Sequence, residues 1–168
     1  MILRLRQEYL DYFHLRLNWL RICRRLPLNV KVKWSASFAG KNIFIGDFTK
    51  IEDFVYLSTG ISPSENINIG KHCRIQRGVQ IYTWNGSVTI GNHCSINANS
   101  IIYGTGGVKI GDFVRIAANA SIIASMHRIE RTDIPIKSQG YTAEGIEIGD
   151  DVWVGAGVCI LDGVKIGS

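Results

Sequence analysis

An aliphatic residue recurs every six positions along most of this chain, and Gly, Asp or Asn sits beside it. The register is clearest in three stretches: Ile90, Ile96 and Ile102; Ile110, Ile116 and Ile122; Ile148, Val154 and Ile160. An Ile-Gly dipeptide sets the larger rhythm, at Ile45-Gly46, Ile69-Gly70, Ile90-Gly91, Ile110-Gly111, Ile148-Gly149 and Ile166-Gly167. These dipeptides are 24, 21, 20, 38 and 18 residues apart, so a unit of 18 carries insertions of 6, 3, 2, 20 or none. A period of six does not fit the 3.6 of an amphipathic helix. A sandwich of hairpins would place turn signals about 8 to 12 residues apart without so strict a register.

Three hexads make one triangular coil of short strands, each pointing one side chain inward. The predicted architecture is all-β, a parallel β-helix in which each coil buries its apolar face only by stacking on the next. The glycines and asparagines beside the aliphatic residues are expected at corners, where they tolerate positive φ. Handedness does not follow from the period, because ordinary parallel crossovers are right-handed.

The first 27 residues break the rhythm. Leu3, Leu10, Phe13, Leu17 and Leu20 fall at helical spacing and Pro27 supplies a stop, which predicts one amphipathic helix. The expected layout is a basic N-terminal helix over 1–30 and a β-helix domain over 31–168, with an inserted loop at about 124–145. The helix can cap the first coil and cover an open sheet edge. It can also lay a basic face on an anionic membrane through residues 1–27.

Composition narrows the picture. With 168 residues, 46% of them apolar, the chain supports one substantial core, and 18 glycines against 3 prolines suit repeated tight turns. Charge is uneven: residues 1–41 hold Arg4, Arg6, Arg16, Arg21, Arg24, Arg25, Lys31, Lys33 and Lys41 against Glu8 and Asp11. The excess sits in one terminal segment and no nucleic-acid motif accompanies it, so no nucleic-acid partner is expected. The four cysteines form no CxxC pair and nothing ahead of them reads as a secretory signal. A cytoplasmic, membrane-peripheral location is the expectation. The apolar runs fall short of the roughly 20 residues that span a bilayer as a helix.

Candidate chemistry concentrates in the 20-residue insertion, ASMHRIERTDIPIKSQGYTAEG, which runs from about Ala124 to Gly145. Long loops on a rigid scaffold commonly carry function. His127 opens this one, and an imidazole with an ordinary pKa near 6.5 can take a proton from a hydroxyl at neutral pH. Some twenty residues later comes Ile148-Gly149-Asp150-Asp151-Val152-Trp153.

A histidine opening an extended loop, an Ile-Gly-x-x-x-Trp coil after it, and the hexad over about residues 42–168 together resemble the hexapeptide-repeat acyltransferases. Within them the chain looks similar to the galactoside and maltose acetyltransferases and the polysaccharide O-acetyltransferases. The resemblance implies a left-handed β-helix, a homotrimer and acetyl-CoA as acyl donor. It also implies transfer to a sugar or polysaccharide hydroxyl, with His127 as general base. It places Asn97, thirty residues before His127, as a hydrogen-bonding catalytic residue. It sets Trp153 against the pantetheine arm of the cofactor, with Ala156 leaving room for it. Trp153 could equally pack between subunits. The DIPIKSQG segment points to a saccharide acceptor by analogy alone.

Register adds something separate. Asn97 is the eighth residue of its coil and His127 the eighteenth of the next, on nearly opposite sides of the prism. They can meet only across a subunit boundary, which favours a threefold assembly.

Other residues compete for roles. Trp84, in the bulge Tyr82-Thr83-Trp84-Asn85-Gly86, is a candidate for stacking on the acceptor, although a turn aromatic also packs locally. His72 and His93 occupy equivalent offsets and could stack as metal ligands. The γ-class carbonic anhydrases of this fold use three histidines, but residues 122 and 132 are Ile and Thr, so no metal is expected. Cys73 and Cys94 fall at small inward positions and are expected in the core. A non-catalytic scaffold and a carbonic-anhydrase-like metalloenzyme remain the alternatives. The sequence ends at Ile166-Gly167-Ser168, where the pattern opens another coil. The family usually continues there, so a natural extension is expected to tighten CoA binding.

Overall fold

In the computed structural model, which describes residues 16–168, the six-residue rhythm becomes three six-stranded parallel sheets that form the faces of a prism. Face one stacks Lys31–Val32, Lys50–Ile51, Arg74–Ile75, Ser95–Ile96, Arg115–Ile116 and Trp153–Val154. Face two stacks Ser37–Ala39, Tyr56–Ser58, Gln80–Tyr82, Ile101–Tyr103, Ser121–Ile123 and Cys159–Leu161. Face three stacks Ile43–Ile45, Asn66–Ile69, Ser87–Ile90, Val108–Ile110, Ile146–Ile148 and Lys165–Ile166. Each strand pairs with its counterpart one coil away, as Ile102 does with Ile81 and Ile122, so the backbone ladder runs along the prism axis. The result is an all-β solenoid with one helix near its N-terminus, consistent with a left-handed β-helix.

Strand alternation puts one side chain inside and its neighbours outside. All nine aliphatic residues that mark the hexad are buried, as are Cys73 and Cys94 in the small inward positions. At about 1.5 to 3 kcal/mol for each large aliphatic side chain removed from water, this central column is the main source of stability.

The corners are unequal. Between faces three and one the chain always uses four residues, as at 46–49, 70–73, 91–94, 111–114 and 149–152. Between faces one and two it again uses four, as at 33–36, 76–79, 97–100 and 155–158. All length variation falls between faces two and three, where the linkers are 40–42, 59–65, 83–86, 104–107, 124–145 and 162–164. Every insertion in the sequence therefore projects from one edge of the prism, the variable corner.

The corner glycines are of two kinds: Gly78 and Gly157, at the corner after face one, adopt positive φ as expected, whereas those of the Ile-Gly dipeptides serve another purpose. The glycines of the Ile-Gly dipeptides do not adopt positive φ; the residues two places later do, namely Phe48, His72, His93, Phe113 and Asp151. The Ile-Gly glycines are required because the next coil passes too close: a Cβ on Gly70 would lie 2.5 Å from the Gly91 carbonyl oxygen. The expectation of asparagine at positive φ holds at the corner after face one, at Asn99 and Asn119. The residue after each Ile-Gly also ties coils together. The Asn92 backbone N–H donates to Asp112 Oδ1 at 2.6 Å, and the Asp112 N–H donates to Asp150 Oδ1 at 2.7 Å. The bulky positive-φ residues stack their rings into a column, Phe48, His72, His93 and Phe113, with centroids 4.8 to 5.0 Å apart and nearly parallel planes.

The N-terminal helix corrects the sequence in one respect. Residues 16–23 are helical, but Leu17 and Leu20, assigned to the apolar stripe, are exposed. Ile22 is buried, and Trp19, Cys23 and Leu26 pack on the core, with the Trp19 ring edge-on to Trp34 at 5.0 Å. Burial pushes the Cys23 thiol up to about 11. The prism end selects this face because indole and thiol complete the first coil; the capping role holds for the described part. Leu3, Leu10 and Phe13 lie outside the described residues.

Gly70→Ala should therefore lower stability by about 1 to 3 kcal/mol, the usual range for overpacking. Gly155→Ala, whose Cβ would meet only Val158 Cγ2 at 3.7 Å, should stay within about 0.5 kcal/mol of wild type. Paired thermal denaturation checks both.

Candidate active-site groove

The 124–145 insertion is an ordered excursion from the variable corner of the fifth coil. Its base is a two-stranded antiparallel ribbon, Met126–His127 with Tyr141–Thr142, in which His127 lies opposite Tyr141. At its tip, Gln139 Nε2 donates to the Arg131 carbonyl at 2.7 Å and Gln139 Oε1 accepts from the Arg131 N–H at 3.0 Å. Pro135 precedes a short 3₁₀ turn, Ile136–Ser138. The returning strand is anchored to the coil above by Asp162, which accepts from the backbone N–H groups of Glu144 and Gly145 at 3.0 and 2.9 Å.

The ribbon places His127 at the mouth of a groove of about 420 Å³, which Trp84, Tyr103, Thr105, Ser125 and Tyr141 also line. Neither ring nitrogen of His127 makes a hydrogen bond among the described residues, so both remain available to a ligand. One wall is aromatic. Tyr82 and Tyr103 are adjacent rungs of face two with rings 5.5 Å apart, and Trp84 lies 4.3 Å from Tyr103 and 5.0 Å from Tyr82. Such a surface suits the apolar C–H face of a sugar ring, and the Ser125 and Thr105 hydroxyls can serve its edges.

The turn bearing Trp84 rests on a buried carboxylate. Glu65 Oε2 accepts from Thr83 Oγ1 at 2.7 Å and from the Asn85 and Gly60 N–H groups at 3.0 Å each. The Thr83 hydroxyl and the Asn85 N–H, joined by the backbone at Gly60 and Ser62, hold the Glu65 carboxyl below its ordinary range despite burial.

The predicted site residues fall into two groups. His127 and Trp84 share the groove at the variable corner. Asn97, Trp153 and Ala156 belong to the other side of the prism: Trp153 on face one, Asn97 and Ala156 in the corner that follows it. Trp153 is 79% exposed, its ring directed outward as expected from buried Val154 beside it. Asn97 Oδ1 accepts from Gln76 Nε2 at 2.9 Å, while its Nδ2 donates to nothing among the described residues. A single chain thus does not bring Asn97 to His127. His72 and His93 lie face to face, 4.8 Å apart and within 5° of parallel. Their in-plane lone pairs run side by side and do not converge, a geometry of stacking and not of joint metal ligation.

Sequence reasoning missed Tyr103, Tyr141 and Glu65. Tyr103 was accessible in principle, since the last position of the face-two strand carries Tyr82 and Tyr103 on adjacent coils. Tyr141 and Glu65 carried no such signal, because their partners are set by loop paths that the hexad does not encode.

Burial is the largest influence on Asp162 and raises its pKa, but the N–H of Glu144, the Thr142 side chain and the N–H groups of Gly145 and Gly163 together bring it below the ordinary value. A carboxylate with a lowered folded-state pKa stabilises fully above its unfolded value near 4 and loses that contribution as pH falls through the folded value. Asp162→Ala should cost about 1 kcal/mol at neutral pH. The difference from wild type should shrink below about pH 4, as measured by denaturant titration across pH.

Comparison with known proteins bears on the same coils. Residues 87–124 and 140–168 match the family described as the hexapeptide repeat of succinyl-transferase. The chain is 31% identical over 101 residues to "Probable acetyltransferase Rv3034c" of Mycobacterium tuberculosis, covering 60% of this chain and 34% of that protein. It is 39% identical over 86 residues to "Putative acetyltransferase YJL218W" of Saccharomyces cerevisiae, covering 51% of this chain and 42% of the other. It is 26% identical over 155 residues to "Bifunctional protein GlmU" of Corynebacterium aurimucosum, covering 83% and 28%. The chain thus spans well under half the length of these relatives. The hexapeptide repeat, the stacked coils it builds and the acetyltransferase relatives that share it support a place for this chain among the hexapeptide-repeat acetyltransferases.

Proposed function

We propose that the protein is an acetyl-CoA-dependent O-acetyltransferase acting on a hydroxyl of a sugar or polysaccharide, and that its active site is completed at the interface of a homotrimer. The observation that carries this reading is the division of the site residues between two edges of the prism. His127 stands in an aromatic groove with both ring nitrogens unengaged, and Asn97 keeps its Nδ2 unengaged on the side of the prism that also carries exposed Trp153, two coils on. Threefold rotation is the simple operation that sets one edge of a chain against another edge of its neighbour.

In this arrangement a saccharide stacks on Trp84 and Tyr103 with one hydroxyl toward His127. The imidazole takes the hydroxyl proton, the oxygen attacks the thioester carbonyl, and the C–S bond breaks. The imidazolium then returns the proton to the departing thiolate, which leaves as free CoA. The Asn97 amide of the adjacent subunit hydrogen-bonds to the reacting groups where negative charge develops. Trp153 offers a flat apolar wall and Ala156 open space beside it, which fit a pantetheine arm.

The exposed leucines of the helix, Leu17 and Leu20, lie among Arg21, Arg24 and Arg25, which supports a peripheral placement on anionic lipid.

His127→Ala should preserve assembly and CoA binding while turnover falls roughly 10²- to 10⁴-fold, the range for loss of a general base. Near-normal CoA release from a true acceptor would remove His127 from the mechanism, and no CoA release by wild type with any saccharide would favour a scaffold. Because His127 and Asn97 belong to different subunits of each site, co-refolding inactive His127→Ala with inactive Asn97→Ala chains should restore part of the activity. Persistent inactivity of the mixed trimers would show that the sites are not shared. Vesicle co-sedimentation should require anionic lipid and weaken as salt shortens the screening length below about 8 to 10 Å; equal binding to neutral vesicles would leave only capping.

A further inference from the structure

The turn that carries Trp84 has a backbone that few sequences adopt. Trp84 and Asn85 both have positive φ, 41° and 75°. Consecutive left-handed residues are the province of Asn-Gly turns, and a bulky aromatic at the first position is an outlier. Such a conformation persists only where its surroundings over-determine it, as ring stacking does at Phe48 and Phe113.

What over-determines it is Glu65. This side chain is 4% exposed, has no ion-pair partner among the described residues, and spends one carboxylate oxygen on three donors. Two of those donors, the Thr83 hydroxyl and the Asn85 N–H, flank Trp84 in sequence. The third is the Gly60 N–H of the coil below, so the turn is tied across two coils. An unpaired buried carboxylate is a costly way to close a surface turn. The turn already contains Asn85 and Gly86 and is closed by the Gly86 N–H on the Thr83 carbonyl at 3.0 Å, so the carboxylate adds a tether beyond what the turn needs to form.

We propose that Glu65 is a positioning residue of the acceptor site: its carboxylate fixes the 83–86 turn so that Trp84, backed by Tyr82 and Tyr103, stands as a rigid wall for a pyranose ring in the groove of His127. This rests on the acetyltransferase reading given above. An indole free to move would swing off Tyr103 into solvent, and each acceptor would have to order it on binding. Held in place, the ring costs the acceptor no such ordering, and the benefit appears in acceptor affinity alone.

Two measurements test this. The fluorescence of Trp84 is isolated by difference against Trp84→Phe, and its quenching by acrylamide is compared in wild type and Glu65→Gln. CoA release is followed with methyl galactopyranoside and methyl glucopyranoside as acceptors. Glu65→Gln should make Trp84 markedly more quenchable. It should also raise the acceptor KM by about tenfold, on the scale of a lost charge-assisted hydrogen bond, with kcat and the acetyl-CoA KM within about twofold of wild type. Glu65→Gln combined with Trp84→Ala should be no worse than Trp84→Ala alone, because the carboxylate acts through the ring. Thr83→Val, which removes only the hydroxyl donor, makes the same test with a smaller effect should Glu65→Gln fail to fold. Unchanged Trp84 quenching, or additive losses in the double variant, overturns the proposal. If wild type acetylates neither glycoside, the saccharide reading fails separately, and unchanged quenching in Glu65→Gln still overturns the clamp.

Discussion

Everything in this protein depends on the close approach of one coil to the next. Successive coils exchange parallel backbone hydrogen bonds on all three faces, and at the Ile-Gly corner the chains come so near that a Cβ has no room. No coil can satisfy its own polar backbone or bury its own isoleucine, so stability is a property of adjacent pairs. The aspartate and asparagine side chains that receive the N–H of the coil below extend the same logic to the corners, where the sheet ladder is interrupted. The helix at residues 16–23 belongs to this account too: by packing Trp19 and Ile22 on the first coil, it supplies the neighbour that coil would otherwise lack.

The same constraint sorts chemistry from scaffold. Because two corners are locked at four residues, side chains there are committed to stacking, as the Phe48 to Phe113 column shows. The variable corner is free of that obligation, and it gathers the histidine ribbon and the tryptophan turn into one groove, with Glu65 buried beneath that turn. A rigid prism fixes the spacing of these loops, while the loops determine what the groove can hold. The rest of the candidate site, Asn97 and Trp153, lies on the locked side, where position is exact to the register but no excursion is available.

Much of this was legible in the sequence. The hexad identified the inward isoleucines without error because burial in a β-helix follows a strict alternation, and the coil offsets of Asn97 and His127 correctly set them on different edges. The illegible parts have physical causes. Leu17 and Leu20 looked like the natural core-facing stripe, but Trp19, Ile22 and Cys23 are the residues that pack on the core, and a helical period alone does not say which of two faces docks. Gly78 and Gly157 do use the backbone freedom assigned to them, but for the Ile-Gly glycines the deciding contact comes from a residue about twenty positions away. Glu65 was invisible for a similar reason: its three donors come from loops whose paths depend on insertion length and not on the repeat.

Confining every insertion to one edge has a consequence for how such a chain can change. Lengthening a linker there alters only loop closure, at roughly 0.6 kcal/mol for each doubling of its length. One residue added at the Ile-Gly corner would instead disrupt the close coil contacts and the stacked rings there. The fold thus tolerates large novelty along a single line of its surface and almost none elsewhere, so new substrate preferences can be acquired on that line while the interior is inherited intact.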